Sequence, residues 1–72
     1  METVKEETFL DRLEAEHTQL AEKVKKLDSF TRSGMFFKLG HEDQDDLTEQ
    51  LGLMRAYEGV LSRRLERLRT TH

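Results

Sequence analysis

Phe30-Thr31-Arg32-Ser33-Gly34-Met35-Phe36-Phe37-Lys38-Leu39-Gly40-His41 is the stretch whose reading decides the fold. It gathers three phenylalanines, two cations and two glycines, and it interrupts two long segments of helical periodicity. Ser33 can cap a single short turn over Gly34 to Lys38, and Gly40 supplies a flexible junction before the next helix. The chain therefore turns back on itself here, with Phe30, Met35, Phe36 and Leu39 available to plug the open end.

Upstream, helix 1 is expected over about 4–30. Thr3 and Glu6 stand at the spacing of a capping box, in which each side chain satisfies an orphan amide of the helix start. Phe9, Leu13, Leu20, Val24, Leu27 and Thr31 recur at three-to-four-residue spacing apart from one seven-residue step between Leu13 and Leu20, and Leu10 and Ala21 widen that stripe. Downstream, helix 2 is expected over about 42–70. Its start carries Glu42, Asp43, Asp45, Asp46 and Glu49 and its end Arg63, Arg64, Arg67 and Arg69, each set complementing the helix dipole. Leu47, Met54, Leu61 and Leu68 repeat every seven residues, with Leu51 and Leu65 in the adjoining positions and Glu58 as the exception. Leu53 and Val60 extend this seam sideways. The fold class that follows is all-α: an antiparallel hairpin of two long helices joined through a turn with a short helix over 31–41, one domain over 1–72.

A chain of 72 residues buries little surface, and the absence of cysteine removes disulfides, thiolate metal sites and a cysteine nucleophile together. Two apolar stripes this broad need more cover than one hairpin gives. Self-association into a homo-oligomeric helical bundle, at least a dimer, is the economical solution. Twelve basic against fifteen acidic residues give a net charge of −3, so no global attraction to nucleic acid or an anionic membrane is expected. No apolar run reaches the length of a membrane span or follows a basic start, which points to a soluble protein of the cytoplasm.

The chemistry-bearing residues are few. His17 lies on the apolar stripe and reads as a packed, hydrogen-bonded histidine. His41 and His72 form no ligand spacing with it, so no metal and no cofactor are expected. The acidic run reads as a solvated helix start, and no phosphate loop or nucleophile elbow is present, so no catalytic residue is assigned and an enzyme is not expected. Gln50, Tyr57 and Arg64 are spaced seven apart, in line beside the leucine seam. They form either a boundary row with apolar stems buried and polar ends in water, or a site in which tyrosine stacks on a planar ligand, arginine meets its phosphate and glutamine reads an edge. Arg32 and Lys38, bracketing Phe36, pose the same choice at the turn: an anion site on an aromatic platform, or solvated cations around a plug.

Lys26-Leu27, Phe30, Ser33, Phe36 and Leu39, followed by Leu47, Gln50, Met54, Tyr57, Leu61 and Arg64, resemble the pattern of a family of short phage proteins related to a crAss-like phage protein. The resemblance covers Leu13 to Leu65. It departs at Gly40, where that family often has a serine cap, and at Asp46, where it is often apolar. It implies expression in an infected bacterial host cell. By analogy with other tiny helical phage proteins, the expectation is an anti-defence sponge that sequesters a nucleotide immune signal, a cyclic nucleotide or ADP-ribose derivative, at oligomer interfaces. The alternatives are an RNA-binding four-helix-bundle adaptor, disfavoured by the net charge, and a protein–protein module that uses Leu53 and Val60.

Overall fold

Three helices follow one another in the computed structural model: α1 over Glu2–Thr31, α2 over Gly34–Phe37 and α3 over His41–Thr70. The structure describes residues 2–70, with side chains from Phe9 onward. The Thr3/Glu6 capping box expected above lies outside the described side chains. Packing of α1 against α3, with α2 across the turn, makes a helical hairpin measuring 53 × 16 × 15 Å.

Burial follows the two stripes. Leu13 of α1 packs with Leu61 and Leu65 of α3 as one buried cluster, bordered by Leu10, Leu20 and Leu68. Val24 and Leu51 continue it toward the turn. Leu61 is the one fully buried large side chain among the described residues, at 0% exposure. Glu58, the polar member of an otherwise apolar row, has its reason across the seam: its carboxylate lies 3.9 Å from His17 Nε2, both side chains half-buried. A polar layer thus sits within the leucine seam, and it matches only when the two helices hold this register.

The turn is closed by backbone hydrogen bonds. Ser33 N–H donates to the Phe30 carbonyl at 3.0 Å and Phe36 N–H to the Ser33 carbonyl at 3.2 Å. Ser33 occupies the cap position of α2, but its hydroxyl does not cap the helix. It turns back and donates to the Phe30 carbonyl at 2.7 Å, satisfying the end of α1 instead of the start of α2. Gly40 also departs from expectation, since no described glycine has a positive φ and a Cβ at position 40 would meet nothing. The restart is held by its neighbours: Gln44 N–H donates to the Gly40 carbonyl at 3.0 Å, while Gln44 Nε2 donates to the Leu39 carbonyl at 2.8 Å.

The plug is narrower than the sequence suggests. Phe36, at 6% exposure, meets Phe30 edge-to-face at 6.2 Å and Phe37 at 5.4 Å. Met35 does not join it and is exposed. One four-residue turn has a single inward face, and Phe36 takes it.

Candidate functional site

The two flanks of the hairpin differ in how their charges are satisfied. On one, the chain pairs its own ions: Arg69 donates to Glu14 at 2.9 Å, Arg55 to Asp28 at 2.7 Å, and Arg32 Nη2 lies 3.3 Å from the second oxygen of Asp28. Asp28 thereby clamps the end of α1 both to the turn and to α3. The other flank carries the Gln50, Tyr57, Arg64 row. Among the described residues Asp46, Glu49 and Arg64 make no ion pair within the chain.

Seven residues on a helix are two turns, so Gln50, Tyr57 and Arg64 stand about 10 Å apart in sequence along α3. Tyr57 is 44% exposed, and with Asp46, Glu49, Gln50, Leu53 and Met54 it lines a shallow, mainly apolar groove. Gln50 is exposed and its amide lies 3.8 Å from the Met54 sulfur, a weak acceptor that leaves it available. Arg64 is half-buried beside Phe9, Arg67 and Leu68, and Phe9 itself is exposed. Leu53, at 64% exposure, and Val60 share this flank.

Tyr57 Oη donates to the Glu16 carboxylate across the helix pair. Glu16 is a partner that sequence reasoning missed, because it depends on the interhelical register and not on any local motif. That hydrogen bond, above all, raises the Tyr57 ionisation from its ordinary value, with desolvation and the Glu16 charge acting in the same direction and Arg64 opposing them. Tyr57 is the sole tyrosine and there is no tryptophan, so ultraviolet titration reads this one group. Glu16→Gln removes the charged acceptor, and the phenol is expected to ionise at lower pH than in the parent chain. An unchanged titration would show that the hydrogen bond does not form in solution.

The second set lies elsewhere. About 24 Å of α3 separates its start at His41 from Tyr57, so a single hairpin does not bring Arg32, Phe36 and Lys38 to the Tyr57 row. Arg32 is exposed but engaged with Asp28, and Lys38 is exposed. Phe36 has its ring in the plug, and the aromatic that the tip presents is Phe37, at 68% exposure. Consecutive helical residues point about 100° apart, so only one of two adjacent phenylalanines can face inward. The sequence does not say which.

Among the described residues no cluster of histidine and carboxylates is placed to hold a metal, and no helix is long and apolar enough to cross a membrane. No curated protein matches the chain, and no solved structure does. One family model, Sequestin, matches residues 7–67.

Proposed function

The chain belongs to the Sequestin family, and from that premise we propose that it is a non-enzymatic binder whose copies associate and hold a nucleotide-derived small molecule at their interfaces. The family name points to sequestration. The ligand classes are those a stacking ring and a guanidinium recognise together: a cyclic nucleotide or an ADP-ribose derivative, bound and not cleaved. One observation carries the reading, the Tyr57 ring at a solvent-open groove with Gln50 on its wall and Arg64 two turns along the same helix. A base stacks on the ring, the guanidinium meets phosphate, and a second copy supplies the wall that one hairpin lacks. The setting proposed is the cytoplasm of a phage-infected bacterium, where holding an immune messenger would blunt its signal.

The test is native mass spectrometry after exposure to a bacterial nucleotide extract, followed by titration with the nucleotide recovered. The parent assembly is expected to retain a nucleotide-sized mass. Tyr57→Leu keeps apolar bulk and removes the ring face, and Arg64→Gln removes the charge; each is expected to weaken retention about tenfold or more while helicity is kept. An assembly that retains no small molecule overturns the reading. RNA retained in a salt-sensitive manner would favour the adaptor instead.

A further inference from the structure

The outer face of α3 reads the same from both ends with its charges exchanged. Asp46, Glu49, Leu53, Tyr57, Val60, Arg64 and Arg67 fall within about 80° of the helix circumference at 3.6 residues per turn. Around a point between Ala56 and Tyr57, Asp46 matches Arg67, Glu49 matches Arg64 and Leu53 matches Val60. A face with that symmetry is complementary to itself when a second copy lies antiparallel to it. Carboxylates then meet guanidiniums at both ends, and leucine meets valine around a tyrosine at the centre.

We infer that this face is a two-fold interface in which α3 packs antiparallel on α3 of a second copy, with Tyr57 next to the axis. Leu53, Tyr57 and Val60 are all exposed in the single hairpin. Asp46, Glu49 and Arg64 of this flank contrast with the opposite flank, where Glu14, His17 and Asp28 already have partners within the chain. Area supports a partner of this size. The hairpin exposes 5890 Å² at a mass of 8.5 kDa, whereas a compact monomer of that mass exposes about 4,700 Å². The excess, about 1,200 Å², exceeds the roughly 800 Å² per partner of an ordinary stable interface. A parallel arrangement of the same faces is excluded by charge, because it sets Asp46 and Glu49 against their own copies and the arginines against theirs. This dimer goes beyond the proposed function and does not depend on a ligand: the partner's α3 lies on the Tyr57 groove, so a base stacking on that ring would have to displace it. A phosphate reaching Arg64 would compete there with the partner's Glu49.

The chain has no cysteine, so single cysteines report the register without background. In purified, nucleotide-free protein, Tyr57→Cys is expected to form a disulfide-linked dimer under mild oxidation. Asp46→Cys and Arg67→Cys are not, because each would lie about 31 Å from its own copy. In sedimentation, Glu49→Arg is expected to weaken the dimer about tenfold or more, and adding Arg64→Glu to restore it to within a few-fold. A monomer at high concentration, self-cross-linking at positions 46 and 67, or failure of the charge exchange to restore association would each overturn the interface. A dimer in this register that retains no nucleotide would leave the inference standing and overturn only the ligand reading. Nucleotide retention by an assembly cross-linked elsewhere would do the reverse.

Discussion

Leu61→Ala is expected to cost about 3 kcal/mol and to remove most of the stability of the hairpin. Leu61 is the described side chain with no exposure at all, packed in one buried cluster with Leu13 and Leu65. Truncating it loses the transfer energy of the removed carbons and leaves a void that two long, straight helices cannot close by a local shift. A hairpin this small has little in reserve. Its buried residues are few, and a single core of this size supplies only about 3–5 kcal/mol. Thermal unfolding followed by far-ultraviolet circular dichroism should show a fall of about 15 °C or a loss of the cooperative transition. Leu53→Ala is the contrast. Its side chain is largely exposed, so with the two-fold interface proposed above its effect is expected on association and should fade as the protein is diluted. Equal destabilisation by both variants at all concentrations would mean that the core is not where Leu61 places it.

That contrast marks what a sequence of this kind discloses. The seam through Leu51, Leu61 and Leu65 is legible because period alone assigns a helical face, and two faces joined by a short turn meet antiparallel. The charge gradient of α3 is legible for the same local reason, and its first-turn Glu42 and Asp43 and last-turn Arg67 and Arg69 stand at the ends that the dipole favours. What lies across the seam is not legible. Tyr57 and Glu16 are 41 residues apart, and whether they touch depends on a shift of one turn that the leucines alone tolerate. The same holds for His17 and Glu58, where an apparent flaw in the heptad becomes a pair once the register is known. Ser33 illustrates a different limit. A serine between two helices can serve either end, and here the Phe30 carbonyl, which also accepts from the Ser33 amide, wins over the amides of a four-residue helix.

The second large effect falls at the turn, where Phe36→Ala is expected to cost about 3 kcal/mol and Phe37→Ala only about 0.5–1 kcal/mol. The two residues are neighbours of the same type, so composition and propensity cancel between them and only burial differs. Phe36 closes the end of the helix pair and meets both Phe30 and Phe37 edge-to-face, contacts worth about 0.5–1.5 kcal/mol each beyond their area. Without its ring, the Phe36 and Leu39 amides that bond to Ser33 and Phe36 lose their apolar cover, and water competes for each. The last turn of α1 and the first turn of α3 should then exchange amide hydrogens faster, while the stretch around Leu61 stays protected until global unfolding. Phe37→Ala removes only the edge contact on Phe36 from an otherwise solvent-facing ring, and its exchange pattern should match the parent. If the two substitutions prove equally mild, the hairpin is held by its seam alone and the turn is merely a connection. If Phe36→Ala alone loosens both helix ends, the aromatic cluster is what fixes where the chain reverses, and through that the register that brings Tyr57 to Glu16.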